Sequence, residues 1–243
     1  MNDEDASGSG SEAELELRIL QAAVADNGDG SYQLRLLTSR GELGGVLHPC
    51  EGGTAAVIFL GGAARGLGGP GSVYVRLAES LIAARITSLR LQMRRPDPDP
   101  ASFQECVLDA LAGVSFLRGI GAERIVLAGV SYGGGVAIRA GTLSESVVGV
   151  AAISTQTFGS EAAPQLAPRP LLLVHGLDDD QFSPAIAQQI YDRAGEPKRL
   201  VLLGGVDHFW REGRDELFDI LRGWIARCAV PAPDRPLPSP PSE

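Results

Sequence analysis

Histidine and cysteine are scarce in this chain, and each scarcity narrows its chemistry. There are three cysteines, Cys50, Cys106 and Cys228. An odd, scattered set supplies neither a disulfide framework nor zinc-ligand spacing, so no metal is expected. Cys106 and Cys228 fall in helical patterns and read as small buried hydrophobes. No cluster of Lys and Arg is present, and the formal net charge is −9. That balance argues against nucleic acid and against an anionic membrane as partners. The longest apolar run, near Ala55 to Ala64, contains two glycines and is too short to span a bilayer. The first residues, Met1-Asn2-Asp3-Glu4-Asp5, lack the basic segment and apolar run of a secretory signal, so a cytoplasmic location is expected. No internal repeat is found.

Against these absences stands one dense motif, Gly129-Val130-Ser131-Tyr132-Gly133. It follows the apolar run Ile125-Val126-Leu127-Ala128 and precedes Gly134-Gly135-Val136-Ala137-Ile138-Arg139-Ala140. The pattern is strand, sharp turn, helix. G-x-S-x-G in that setting is a nucleophile elbow. A serine hydroxyl is a poor nucleophile until a base takes its proton. A tight turn aims the oxygen out of the sheet, and flanking glycines let the turn close. The bare pentapeptide also occurs as an ordinary Gly-rich turn, so its weight rests on the flanking elements and on finding a base.

The elements alternate. Short strands at Glu14–Ile19, Tyr32–Leu36 and Gly44–Leu47 suit an antiparallel edge. Ala55–Leu60 has the continuous apolar character of a strand covered on both faces. Tyr74, Leu77, Ala78, Leu81 and Ile82 recur at helical spacing, and Ile86–Leu91 is the next strand. Ser102 and Glu105 form a capping box ahead of Phe103, Val107, Leu111, Val114 and Leu117 on one helix face. Beyond the elbow come strands at Val147–Ala151, Leu171–Val174 and Leu200–Leu203. A helix over Ile186–Arg193 and a final amphipathic helix through Leu217, Leu221, Trp224, Ile225 and Cys228 complete the pattern. Such repetition implies one three-layer α/β/α domain, roughly residues 13–229, with a mostly parallel sheet and an antiparallel N-terminal edge. Residues 1–12 read as a polar disordered tail, and 230–243 as a Pro-rich extended tail.

A serine nucleophile calls for a base, and histidine serves near neutral pH. The three candidates are His48, His175 and His208. His48 lies in the edge region. His175 ends a strand as Val174-His175-Gly176 and suits a turn-shaping role. His208, in Gly204-Gly205-Val206-Asp207-His208-Phe209-Trp210, follows the last strand at its carboxyl end, where open α/β sheets place their sites. His208 is therefore the preferred base, against a structural loop histidine. The base needs an acceptor, and Asp178-Asp179-Asp180 follows the Leu171 strand. The alternative for these aspartates is a solvated acidic turn.

In these features the chain resembles the α/β-hydrolase superfamily, over nearly the whole core. The resemblance implies that His175-Gly176-Leu177-Asp178-Asp179 carries the acid at its fifth position, Asp179, with Asp178 as runner-up. It implies that Gly-Val-Asp-His-Phe is the histidine loop, giving the order Ser131, Asp179, His208. It places oxyanion donors at the Tyr132 amide and in the loop Leu60–Pro70, at Ala63, with Gly62 and Ala64 as register alternatives. A phosphate cradle is the rival for that loop, but between Leu60 and Pro70 it has neither a G-K-[ST] ending nor G-x-G-x-x-G spacing. The short run from Ala151 to Arg169 leaves little room for a lid. The chain is thus similar to the compact, dienelactone-hydrolase-like branch with no large cap domain, departing from it in having Ser131 where those enzymes use cysteine.

The implied function is a serine hydrolase acting on an ester or related acyl bond of a small molecule through an acyl-enzyme, with no cofactor. An acyltransferase or peptidase on the same residues is one alternative, and a non-catalytic binding protein keeping the fold is another. Arg65 is a candidate substrate contact, against a solvated loop residue. Phe209 and Trp210 either wall the acyl pocket or pack beside the last helix. Arg94 and Arg95 are expected as surface charges. Nothing in the sequence sets an oligomeric state.

Overall fold

The structure is a computed structural model and describes residues 16–63, 66–94, 97 and 99–230. The expected N-terminal tail, the C-terminal tail beyond Val230, and Ala64, Arg65 and Arg95 lie outside the described residues.

In chain order the elements are β1 (Ile19–Asp26), β2 (Tyr32–Thr38), β3 (Gly41–His48), β4 (Ala55–Leu60), α1 (Val73–Leu81), β5 (Ile86–Gln92), α2 (Pro100–Gly119), β6 (Arg124–Val130) and α3 (Tyr132–Thr142). They continue with β7 (Val147–Ile153), β8 (Leu171–Gly176), α4 (Pro184–Arg193), β9 (Lys198–Leu203) and α5 (Arg214–Ala229). One nine-stranded sheet runs in the order β1-β2-β3-β5-β4-β6-β7-β8-β9. The pairs from β1 to β5 are antiparallel, and those from β5 through β9 are parallel.

The apolar run of β4 is explained by its position. Ala56, Ile58 and Leu60 join a cluster with α2, α3 and α4 on one face. Ala55, Val57 and Phe59 join a second cluster with α1 and α5 on the other. A strand covered on both faces has no solvent side, so alternation with polar residues disappears.

β4 is flanked by β5 on one side and β6 on the other. The chain leaves β4 through α1 on one face and returns to β6 through α2 on the opposite face. Winding reverses there, so the loops after β4 and β6 part at the carboxyl edge and leave a crevice. Between β7 and β8 the described chain carries only a 3-10 segment, Ser160–Leu166. The described residues contain no cap domain.

Three local expectations are corrected. Among the described residues the first strand is Ile19–Asp26; of the expected Glu14–Ile19, residues 14 and 15 lie outside the described residues and 16–18 are not in a strand. Its register is set by the turn at Asn27–Ser31, which pairs Asp26 with Tyr32 and runs back to Ile19 against Thr38. Its side chains are almost all exposed, so burial leaves little periodic signal to locate it. The N-cap of α2 lies three residues before Ser102, the expected cap of the Ser102/Glu105 box. Asp99 is its N-cap, accepting from the Ser102 amide at 3.0 Å, and Pro100 opens the first turn.

Glu105 instead pairs with Arg40 and Arg94, and Arg94 is not a surface charge. Its side chain is 14% exposed and forks onto the fully buried carboxylate of Asp109, with a 2.8 Å bond from Nε and a 2.9 Å bond from its own amide. Removing one member of a buried pair leaves the other uncompensated. Asp109→Ala therefore lowers stability by about 3 kcal/mol or more. Urea unfolding measures it, and a loss under about 0.5 kcal/mol, the range of an ordinary surface change, overturns this account.

Candidate active site

The elbow is built from close backbone approaches. Ser131 sits between β6 and α3, as the N-cap of α3, with φ 55° and ψ −120°, a sparsely populated region for a residue bearing a side chain. The surroundings hold it there. The Ser131 amide donates to Ile153 O at 2.8 Å, and its carbonyl accepts from Gly134 N at 3.0 Å and Thr155 Oγ1 at 3.2 Å. A Cβ on Gly129 would lie 2.0 Å from Gly133 O, and one on Gly133 would lie 2.4 Å from Gly61 O. Only glycine permits this crossing of β6, α3 and the loop after β4.

Ser131 and His208 line one cavity of about 360 Å³, together with Gly62, Ala63, Gln181 and Phe209. A larger groove of about 630 Å³ between α2, α3 and the 3-10 segment includes Phe103, Arg139 and Phe158 but neither Ser131 nor His208.

Of the three consecutive aspartates, Asp178 and Asp180 are exposed and Asp179 is buried. Asp179 Oδ2 lies 2.9 Å from His208 Nδ1. Its Oδ1 accepts from the amides of Gln181 at 3.0 Å and Phe182 at 2.8 Å. Burial pushes this carboxyl up, but the Phe182 amide, His208 and the Gln181 amide outweigh it and hold the group below the usual carboxylate range. A carboxylate can only accept, so His208 Nδ1 carries the proton. In the neutral ring Nε2 is then a free acceptor, the form a general base needs. His208 is held between ring edges, with Phe182 at 5.2 Å and Phe209 at 5.6 Å between centroids.

The other placements divide. Tyr132 is the first residue of α3, so its amide precedes any intrahelical partner. Its ring is buried, and its hydroxyl donates to Asp97 O at 3.0 Å. Ala63 and Gly62 both line the cavity, and a Cβ on Gly62 would lie 3.3 Å from Ser131 Cβ. His48 ends β3, paired in register with Ser88, and is not among the residues lining the cavity. Phe209 and Trp210 part ways. Phe209 is exposed at the cavity, whereas Trp210 is fully buried and donates from Nε1 to Ser154 Oγ at 3.1 Å.

Two contacts were not legible in the sequence. Phe182 walls His208, and His175 reaches Asp179. Extending the glycine loop one residue past Pro70 also completes G-x-G-x-x-G spacing at Gly66, Gly68 and Gly71. Gly71, with φ 52°, sits in a 3-10 turn where a Cβ would lie 2.8 Å from Trp210 O and 2.5 Å from Arg214 Cγ. Close packing accounts for that glycine.

Among the described residues no group of three His, Cys, Asp or Glu side chains is placed to hold a metal. Cys106 is buried, and burial pushes the half-buried Cys228 thiol up to about 11. No helix among the described residues is long and apolar enough to cross a membrane.

An elbow serine at the carboxyl edge of a parallel sheet, facing a histidine loop, defines an α/β-hydrolase architecture. The profile of the alpha/beta hydrolase family matches residues 57–241, and the chain belongs to that family. No curated protein sequence matches it. Among solved structures it is similar in fold to the alpha/beta hydrolase GrgF from Penicillium sp. sh18, with a TM-score of 0.71 and 14% identity over 82% of this chain and 99% of that one. A dienelactone hydrolase from Anabaena variabilis ATCC 29413 aligns with a TM-score of 0.67 and 20% identity, covering 86% of this chain and 98% of that one. An acetyl xylan esterase from Paenibacillus sp. R4 aligns with a TM-score of 0.69 and 15% identity, covering 86% and 88%.

Proposed function

We propose that the protein is a serine hydrolase that cleaves a carboxylic ester of a small molecule through an acyl-enzyme. The observation that carries this reading is the Asp179–His208 hydrogen bond of 2.9 Å beside the cavity that Ser131 lines. His208 Nε2 takes the Ser131 proton as Oγ attacks the ester carbonyl. The tetrahedral oxyanion is received by the amides of Tyr132 and Ala63. Asp179 stabilises the imidazolium. His208 then protonates the leaving alcohol and activates the water that releases the acid. No cofactor enters these steps. Family membership and the fold likeness to an acetyl xylan esterase and a dienelactone hydrolase support the ester as substrate.

A fluorophosphonate probe is the direct test. It labels the protein at Ser131, and peptide mapping that finds no adduct, or an adduct elsewhere, defeats the reading.

Acyl-chain length follows from the cavity. A deep apolar pocket gains about 0.8 kcal/mol per buried methylene. A cavity of about 360 Å³ without a cap domain offers little such burial. With p-nitrophenyl esters from acetyl to palmitoyl, kcat/KM is flat or falls beyond butyryl. A steep rise toward long chains points instead to the groove beside Phe158.

A further inference from the structure

We propose that His175 is a positioning residue for Asp179. It acts as a neutral histidine whose Nε2–H is shared between the Phe182 carbonyl and the Asp179 carboxylate, and so sets how strongly that carboxylate accepts from His208. The proposal rests on the Ser131–His208–Asp179 reading and deepens it.

His175 sits at the carboxyl end of β8 and is fully buried. Its Nε2 lies 2.9 Å from Phe182 O and 3.2 Å from Asp179 Oδ2. A carbonyl oxygen only accepts, so Nε2 carries the hydrogen. Nδ1 is buried and has no hydrogen-bond partner among the described residues. Protonating it would create a buried N–H with no acceptor, which is costly. The titratable groups that face the ring are Asp179 and His208. Burial pushes His175 down, against the upward pull of the Phe182 carbonyl and of Asp179. The ring therefore donates without becoming a cation.

This completes the acceptor capacity of Asp179. Oδ1 holds two backbone amides, and Oδ2 faces two histidines, His208 Nδ1 at 2.9 Å and His175 Nε2 at 3.2 Å. Phe182 is clasped from both sides, its amide on Asp179 and its carbonyl on His175. A second donor on Oδ2 draws charge away from the bond to His208. A neutral donor does so without repelling the imidazolium. His175 thus tempers the pull of the carboxylate on the His208 Nδ1 proton. It is not among the residues lining the cavity, so its loss acts on kcat and the pH profile rather than on KM.

The test has two arms on the full chain. Long-range ¹H–¹⁵N spectra of the wild-type imidazoles from pH 5 to 9 are expected to show His175 as an unchanging neutral Nε2–H tautomer. His175→Gln, which keeps a donor near the Nε2 position, assigns the signal by its loss. A Nδ1–H tautomer, or titration within that range, overturns the proposal without any variant needing activity. In the second arm, pH–rate profiles on p-nitrophenyl acetate are compared. His175→Leu is expected to move the acid limb of kcat/KM up by about half a pH unit and to lower kcat roughly tenfold, as for one lost hydrogen bond. KM stays within about twofold, and His175→Gln restores the limb. An active Leu variant with an unmoved limb, or a Gln variant as impaired as Leu, overturns it. If Ser131→Ala keeps turnover, the hydrolase reading falls by itself. If that variant is inactive while His175 titrates, only the present proposal falls.

Discussion

Ser131→Ala abolishes hydrolysis of short p-nitrophenyl esters, with a loss on the order of 10⁴ to 10⁶ in kcat, as when a catalytic unit loses its nucleophile. The fold survives, because the three hydrogen bonds that hold the elbow use the backbone of residue 131. Its amide binds Ile153 O, and its carbonyl receives Gly134 N and Thr155 Oγ1. Alanine keeps all three and meets the same positive φ as serine. Circular dichroism and the unfolding midpoint should match the wild type. An alanine variant with wild-type turnover refutes the assignment of Ser131 as nucleophile.

Asp179→Asn is the second large effect, roughly 10⁴ in kcat. The surroundings dictate how the amide sits. The two amides of Gln181 and Phe182 hold the oxygen at the Oδ1 position, so the NH₂ takes the place of Oδ2. It then faces His208 Nδ1, a donor against a donor. The imidazole relieves the clash by moving its proton to Nε2, which removes the lone pair needed to accept from Ser131. Asp178→Asn and Asp180→Asn change exposed carboxylates and stay within about twofold of wild type, as surface substitutions usually do. Equal damage from Asp178→Asn or Asp180→Asn refutes the register. Near-wild-type kcat in Asp179→Asn refutes the carboxylate's role.

The architecture was legible where local chemistry is strong. β4 read as a covered strand because every side chain in it is buried, and β6 read as a strand from its apolar run ahead of the elbow. The elbow read from its glycines because a Cβ at Gly129 or Gly133 collides with backbone. β1 was misplaced because its side chains are exposed and a turn sets its register. The start of α2 was misplaced because Asp99 caps the helix from a position where Ser102 and Glu105 offered an equally good local pattern.

The sequence by itself determined the element order, the strained serine turn and the short set of histidines and aspartates from which any base and acceptor must come, since these depend on neighbours along the chain. Spacing along the chain left three adjacent aspartates open and only a family resemblance singled out Asp179; the tertiary structure is what turns Asp179 inward to His208 and leaves Asp178 and Asp180 exposed. It alone placed Phe182 against His208, Trp210 in the core and Arg94 on Asp109. It also put a second histidine, His175, on the Asp179 carboxylate. The physical reason is that spacing along the chain does not specify the dihedrals of a non-helical turn. Ser131 and His208, 77 residues apart, share one cavity only because parallel strands deliver their carboxyl ends to the same edge of the sheet.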